Sequence, residues 1–124
     1  MLDEKKQCSV IINGKEFISK DELMKAKEFE GMPYQIIRTY SAGVFAGYIE
    51  SQNGQIVTIR KARRLWYWDG AATLSQLAID GVKKPENCKF PKEVDKIIVT
   101  QAIELIDCTE EAKQSIQSVK IWKI

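Results

Sequence analysis

The clearest pattern of apolar and polar positions lies in the middle of the chain, where side chains alternate at the two-residue period of a β-strand. β-branched and aromatic residues alternate over residues 35–40, 44–52 and 55–60, which predicts three strands. Asn53-Gly54 between the last two is a strong signal for a tight hairpin turn. The run Leu-Trp-Tyr-Trp within residues 61–68 predicts a fourth strand. Together these segments predict an antiparallel meander of three or four strands.

The first third of the chain shows a different pattern. Two short apolar runs over residues 8–18 flank Asn13-Gly14, which predicts a small β-hairpin. Ser19 and Glu22 then fit a capping box, and Gly31 is a helix stop, so a helix of about ten residues is expected between them. We therefore expect residues 1–33 to form a hairpin–helix appendage to a main body over residues 34–124.

Helical spacing returns in the second half of the chain. Thr73 is placed to cap a short helix that Gly81 ends, and Thr109 is placed to cap another that extends to about residue 118. Residues 94–106 are apolar and β-branched, which predicts a long strand with a bulge near residue 101. The expected fold class is α+β, an antiparallel meander packed with two or three short helices in a single domain.

Length and composition agree with one globular domain and exclude several other classes. The chain has 124 residues, of which 44% are hydrophobic and 29% charged, close to the averages for globular domains. No apolar run approaches the roughly 20 residues of a membrane span. The charged N-terminus does not resemble a secretory signal, so we expect a cytoplasmic protein with no membrane partner.

The cysteine and histidine content excludes several kinds of active site and metal site. Three cysteines, Cys8, Cys88 and Cys108, are too few and too widely spaced for a disulfide framework or a zinc knuckle, and we expect them to be small buried side chains. The chain contains no histidine, so one chain cannot build a Ser–His–Asp or Cys–His constellation. The sequence indicates no metal site and no cofactor, and it favours binding over catalysis.

Charge is nearly balanced overall but concentrated in one stretch. The net charge is +2, too small for a protein that coats nucleic acid by charge alone. All four arginines lie between Arg38 and Arg64, a stretch with five basic residues and one acidic residue. Arginine presents a planar fork of donors that matches phosphate and carboxylate groups. This stretch is therefore the candidate anion-binding region, although arginines on strands are also ordinary solvent-exposed sheet residues.

Residues 60–68 combine four cations with three large aromatic side chains. On a strand, Arg64, Trp66 and Trp68 would share one face. If that face is buried, Arg64 needs an anionic partner; if it is exposed, the tryptophans mark a binding or oligomer surface. The structural alternative is a buried tryptophan pair with Arg64 in a salt bridge at the strand end. Gly47 either lets a ligand approach the sheet or, more commonly for a glycine within a strand, marks a bulge.

Several blocks resemble a known family. They are IIRTYSAGVFAGYIES (residues 36–51), ARRLWYWDGAA (residues 62–72), KPENCKFP (residues 84–91) and CTEEAKQSI (residues 108–116). This pattern resembles small phage and prophage proteins, among them the first-described type of Thoeris anti-defence protein, with ARRLWYWDGAA as its most specific part. Residues 1–33 lie outside the resemblance.

The resemblance implies a molecular sponge rather than an enzyme. Such proteins sequester a cyclic ADP-ribose signalling isomer (gcADPR) without cleaving it and so block the TIR-dependent alarm of a bacterial defence system. It also implies a homo-oligomer built from dimers, with ligand held where subunits meet, in the cytoplasm of the infected host. Some members of this family are implied to take cyclic oligonucleotides at a separate site.

Residue chemistry supplies the candidate contacts for such a ligand. A pyrophosphate suits guanidinium groups, an adenine suits aromatic faces, and an amide suits hydroxyls or a base edge. The candidate ligand-binding residues are Arg38, Tyr40, Phe45, Arg63, Arg64, Trp66, Trp68 and Asn87. No catalytic residue is assigned.

Three other functions fit parts of the same sequence. A single-stranded nucleic-acid-binding phage module would use the same arginines and rings, and it predicts strongly salt-dependent binding. A nucleotide hydrolase or cyclase would use carboxylates and a metal ion. A structural phage protein would use the arginines and tryptophans only for subunit contacts.

Overall fold

The N-terminal hairpin predicted from Asn13-Gly14 is present. The computed structural model describes residues 9–12, 15–18 and 25–124, and the first two ranges only as backbone. Strand β1 (Ser9–Ile12) pairs antiparallel with β2 (Lys15–Ile18), with Ser9 opposite Ile18. This confirms the two strands, whereas the turn itself lies outside the described residues.

The helix predicted after this hairpin is wrong over residues 25–31. Phe29 and Met32 form a β-bridge around a turn in which Glu30 and Gly31 both have positive φ, 51° and 81°. Two successive residues with left-handed backbone are incompatible with an α-helix. The capping residues Ser19 and Glu22 lie outside the part of the chain that the structure describes.

Residues 25–33 pack against the main body. Ala26 is buried in the main core and its N–H donates to the Cys108 carbonyl at 2.9 Å. The Lys27 N–H donates to the Glu110 carboxylate at 2.7 Å. Burial raises the pKa of Glu110, but this hydrogen bond, a second from Gln114 and the nearby Lys113 ammonium together outweigh it, so the pKa is lowered. The division of the chain at residue 33 stays a prediction.

The main body is an antiparallel sheet of five strands, and the predicted α+β class is confirmed. The order in the sheet is β6-β5-β4-β3-β7, and every neighbouring pair is antiparallel. The strands are β3 (Tyr34–Thr39), β4 (Val44–Asn53), β5 (Ile56–Arg64), β6 (Val94–Val99) and β7 (Ala102–Asp107). The three central strands form the predicted meander, with Gly54 at positive φ in the second turn.

Two strand predictions need correction. No separate fourth strand forms over residues 61–68, because residues 61–64 continue β5 and only Tyr67 makes a further bridge, to Lys89. The long strand over residues 94–106 is divided into β6 and β7 at Thr100 and Gln101, close to the predicted bulge. In both cases the pairing partner, rather than local propensity, sets where a strand ends.

The sheet curls until its two edges meet at one corner. β6 and β7 lie at opposite edges of the sheet, yet only Thr100 and Gln101 join them. The Tyr40 N–H donates to the Gln101 carbonyl at 2.9 Å, and the Ala102 N–H to the Gln55 carbonyl at 3.0 Å. These bonds connect the end of β3 and the start of β5 to the same two-residue corner.

Curling buries both faces of the sheet. The concave face encloses one cluster of buried side chains: Ile37, Phe45, Ile49, Val57, Ile59, Ala62, Val99 and Ala102. The convex face packs Ile36, Ala46 and Tyr48 against the helices in a second, larger cluster. Gly47 shifts the register between β4 and β5, which confirms it as a bulge. A Cβ there would lie 2.5 Å from the Ile59 Cγ2 atom, so only glycine fits.

Two helices cover the convex face, each capped as predicted. Helix α1 (Leu74–Asp80) has Thr73 as its N-cap and ends at Gly81. Helix α2 (Glu110–Ser118) has Thr109 as its N-cap, and a short 3-10 helix covers Pro85–Asn87. Among the described residues, no helix is long and apolar enough to cross a membrane.

The two cysteines within the described residues are buried, as expected. Burial raises the pKa of Cys88, and it raises the pKa of Cys108 to about 12. Both thiols therefore stay protonated near neutral pH and act as small apolar side chains. Cys8 lies outside the described part of the chain.

Candidate functional site

Arg63, near the end of β5, is the buried arginine of the protein. Its relative exposure is 6%, and its guanidinium donates four hydrogen bonds of 2.7–3.0 Å to backbone carbonyls. The acceptors are the carbonyls of Phe90, Pro91, Ile116 and Val119. Arg63 thus ties β5 to the segment before β6 and to the C-terminal end of α2.

The carbonyls around Arg63 stabilise its positive charge, although burial removes the guanidinium from water. The carbonyls of Ile116 and Val119 lie at the end of α2, where the helix dipole carries partial negative charge. Burial lowers the pKa of Arg63, but arginine starts so high that the group stays charged at neutral pH. In this structure Arg63 holds the fold together, and one of its five N–H groups has no acceptor among the described residues.

Arg64, the next residue, has the opposite environment. Its guanidinium is exposed and lies over the Phe45 ring, 4.7 Å from the ring centroid. Within the described part of the chain, no carboxylate pairs with it, whereas Arg38 pairs with Glu104 at 2.9 Å. Stacking on a ring restricts the orientation of a guanidinium while leaving its N–H edge available. Arg64 is therefore the arginine that is best placed to receive an anion from solution.

Arg60, on the same strand as Arg64, already pairs with two carboxylates. It lies 3.3 Å from both the Glu50 and the Asp95 oxygens. These contacts raise the pKa of Arg60, first through the hydrogen bond to Asp95 and then through that to Glu50. Arg60 is therefore a matched control for Arg64, because it carries the same charge on the same strand but is already paired with two carboxylates.

Three large aromatic side chains are exposed beyond the end of β5. Trp66, Tyr67 and Trp122 have relative exposures of 65%, 51% and 41%. The Lys89 ammonium lies 6.0 Å from the Tyr67 ring centroid and 5.7 Å from that of Trp122, so it connects the two rings. We refer to Arg64, Trp66, Tyr67, Lys89 and Trp122 as the aromatic edge. Exposed rings of this size, interleaved with cations, are typical of a binding or interaction surface.

Short backbone pairings hold the aromatic edge in place. The Leu65 N–H donates to the Val44 carbonyl at 2.8 Å, which fixes the chain against the start of β4. The Lys89 N–H donates to the Tyr67 carbonyl at 2.7 Å, and the Trp122 N–H donates to the Phe90 carbonyl at 3.0 Å. Three segments thus lie side by side and are joined by backbone hydrogen bonds.

The predicted alternation of residues 63–68 holds only in part. Arg63 and Leu65 are buried while Arg64 and Trp66 are exposed, as expected for a strand. The expectation that Trp68 shares the face of Trp66 is wrong, because Trp68 packs against the main core. The strand pattern ends where Tyr67 pairs with Lys89, so the following residue turns inward.

The remaining predicted ligand residues are scattered. Phe45 is fully buried, and its ring packs under the Arg64 guanidinium. Tyr40 is 77% exposed in the turn between β3 and β4. The Asn87 amide donates to the Asp69 carboxylate at 2.9 Å. The structure therefore leaves Arg64 and Trp66 both exposed, two residues apart in the chain, and gives Arg38 and Asn87 partners of their own.

Sequence reasoning missed Tyr67, Lys89 and Trp122 as members of this surface. The two-residue period of a strand places Tyr67 on the face opposite Trp66, and no motif in the sequence places Trp122. Lys89 lies in a polar connector without periodicity. Trp122 itself was a usable signal, because tryptophan is highly buried on average and is therefore expected to pack against other residues.

The side chains of this surface offer two kinds of contact. Aromatic faces take planar rings, and the cations at Arg64 and Lys89 take phosphate or carboxylate oxygens. Across residues 25–124 no group of three or more acidic or cysteine side chains is close enough to hold a metal ion.

Comparison with known proteins gives one match. Residues 32–116 match the family described as Domain of unknown function (DUF6948). No curated protein and no solved structure matches the chain. The match spans β3 through most of α2 and includes Arg64, Trp66, Tyr67 and Lys89.

Proposed function

The chain belongs to the DUF6948 family, whose function is unknown, and from the geometry of the aromatic edge we propose that it binds and sequesters a cyclic ADP-ribose isomer without cleaving it. The observation that carries this proposal is Arg64. Its guanidinium is oriented over the Phe45 ring, lacks a carboxylate partner within residues 25–124, and lies two residues from the exposed Trp66. This juxtaposition offers a phosphate contact beside a stacking face.

The ligand chemistry matches this surface. A cyclic ADP-ribose has a planar adenine, a pyrophosphate with two negative charges and several ribose hydroxyls. Stacking of the adenine on Trp66 or a neighbouring ring contributes about 1–3 kcal/mol. The pyrophosphate pairs with Arg64 through charge-assisted hydrogen bonds, each worth about 1.5–3 kcal/mol.

Sequestration also accounts for what surrounds the edge. Three exposed rings on one small domain lose their contact with water when a ligand and a second subunit cover them. We therefore propose that the ligand is held where two copies of the chain meet, in a homo-oligomer built from dimers. The site of action is the cytoplasm of an infected bacterium, where the signal is made and its removal blocks the defence response.

Ligand retention tests the proposal directly. The purified protein is mixed with each cyclic ADP-ribose isomer, separated from free ligand by gel filtration, and denatured by heat, and the released nucleotide is analysed. Near-stoichiometric recovery of the intact cyclic nucleotide is the expected result. Recovery of a cleaved product would instead identify an enzyme. Retention of oligonucleotides alone, with steep salt dependence, would support a nucleic-acid-binding module.

Two variants and a control place the site. Arg64→Met and Trp66→Ala are each expected to weaken retention by about tenfold or more. Arg60→Met removes the same charge from the same strand, and it is expected to retain ligand as the unmodified protein does. If Arg64→Met and Trp66→Ala both fold and bind with unchanged affinity, the aromatic edge is not the ligand site.

A further inference from the structure

A cavity of about 340 Å³ is lined by none of the residues of the aromatic edge. Its lining residues come from β5, the segment before β6 and the end of α2 with the residues after it: Arg63, Lys92, Glu93, Gln117, Val119 and Ile121. The volume is at the lower end of the range for small-molecule sites. It equals about ten times the roughly 30 Å³ that one molecule occupies in liquid water.

The charges around this cavity do not cancel. Arg63 is more than nine-tenths buried, and four of its five N–H groups are used by carbonyls, which solvate the charge without neutralising it. The end of α2 offsets about half of that charge. Lys92 adds a second positive charge at the rim, and Glu93 forms no ion pair with either cation within 4.0 Å. A buried cation with an unused N–H thus lines an open cavity with surplus positive charge.

We propose that this cavity is a binding site for a small sugar phosphate. The phosphate binds to the free N–H of Arg63, the Lys92 ammonium and the Gln117 amide, since all three residues line the cavity. Phosphate oxygens are the acceptors that guanidinium and ammonium groups bind best. Because Arg63 is already fixed by its carbonyl contacts, binding costs little side-chain entropy at that residue.

The rest of the lining selects for the sugar. Glu93 repels a bare anion but accepts hydrogen bonds from hydroxyl groups, so it favours a phosphate that carries a polyol. Val119 and Ile121 cover an apolar ring face. Inorganic phosphate would leave most of this volume and the Glu93 carboxylate unused.

This site is separate from the one proposed for cyclic ADP-ribose. Ile121 lines the cavity, whereas Trp122 belongs to the aromatic edge and lies beside Lys89. The inference rests on the cavity alone and does not depend on the proposed function. Substitutions at Trp66 and at Lys92 therefore test the two proposals independently.

Isothermal titration calorimetry of the full chain with ribose 5-phosphate tests the inference, with ribose and inorganic phosphate as separate titrants at constant ionic strength. Ribose 5-phosphate is expected to bind more tightly than either of its parts. Lys92→Met and Gln117→Leu are each expected to weaken binding, Lys92→Met by about tenfold. Both residues lie on the exposed rim, so these variants keep the core intact. Lys96→Met, which removes the same charge from exposed β6, is the matched control and is expected to bind normally.

Several outcomes would contradict the proposed sugar-phosphate site. Equal affinity for inorganic phosphate and ribose 5-phosphate, or equal loss in Lys92→Met and Lys96→Met, would overturn the proposal. So would absence of measurable heat at millimolar ribose 5-phosphate. Trp66→Ala is expected to leave ribose 5-phosphate binding unchanged, and a loss there would assign the signal to the aromatic edge instead.

Discussion

Replacement of Arg63 is the sharpest test of how this fold is held together. In Arg63→Met the side chain keeps a similar length and apolar stem but loses its donors. Four carbonyls, those of Phe90, Pro91, Ile116 and Val119, then lose their hydrogen bonds at once. The segment before β6 and the end of α2 lose their common anchor.

The magnitude follows from two opposing contributions. Each hydrogen bond from a charged donor is worth about 1.5–3 kcal/mol, whereas removing the guanidinium recovers a desolvation cost of several kcal/mol. The balance is a loss of about 3–5 kcal/mol in the free energy of unfolding, because four buried carbonyls are left without donors at about 1–3 kcal/mol each and the recovered desolvation cost offsets part of that loss. A domain of this size has about 5–15 kcal/mol in total, so the variant keeps its fold only narrowly.

Urea unfolding followed by tryptophan fluorescence and circular dichroism measures this loss. Arg60→Met is the matched control, since Arg60 lies on the same strand with the same charge but makes only exposed ion pairs. Its effect is expected to be small beside that of Arg63→Met. Equal effects of the two substitutions, or a loss below about 1 kcal/mol in Arg63→Met, would refute the reasoning that the buried carbonyl contacts stabilise the fold.

Three further predictions address packing and pH. Trp68→Ala is expected to lower the free energy of unfolding by about 2 kcal/mol because the ring packs against the main core, whereas Trp66→Ala is expected to change it little; similar losses in both would contradict this placement. Gly47→Ala is expected to cost about 1–3 kcal/mol, because the new Cβ meets the Ile59 side chain at 2.5 Å, and unchanged urea unfolding would show that β4 relaxes freely. The folded-state pKa of Glu110 is lowered, so its contribution is present above the ordinary value of 4.5 and is lost as pH falls through the lowered pKa. Glu110→Gln is therefore expected to flatten the decline of stability in acid, and a curve parallel to that of the unmodified protein would contradict the shift.

Local signals in the sequence were sufficient for the elements whose ends are set locally. Thr73 and Thr109 are side-chain caps, and both helices begin where those caps predict. The Asn53-Gly54 turn and the Gly47 bulge also follow from the backbone preferences of single residues. In each case the interaction that fixes the end or the turn of the element lies within a few residues of the amino acid that predicts it.

Predictions failed where a residue distant in sequence determines the end of a strand or the burial of a side chain. The residues after Arg64 have high strand propensity, but the strand ends because Tyr67 pairs with Lys89, 22 positions away in sequence. The sequence also placed Arg63 and Arg64 on opposite faces without showing which one is buried. That choice depends on carbonyls at the end of α2, more than 50 residues further along.

The corner at Thr100 and Gln101 also sets the order in which the chain can fold. β3 completes its pairing only with β7, so residues 34–39 wait for residues 102–107. The β3-β4-β5 meander forms from hairpins with short loops, whereas closure of the sheet must join segments more than 60 residues apart. Contacts of such long sequence separation slow folding, because the entropy of loop closure is lost before the contacts form. On a ribosome, the incomplete sheet therefore presents the unpaired edge of β3 until residues 102–107 emerge.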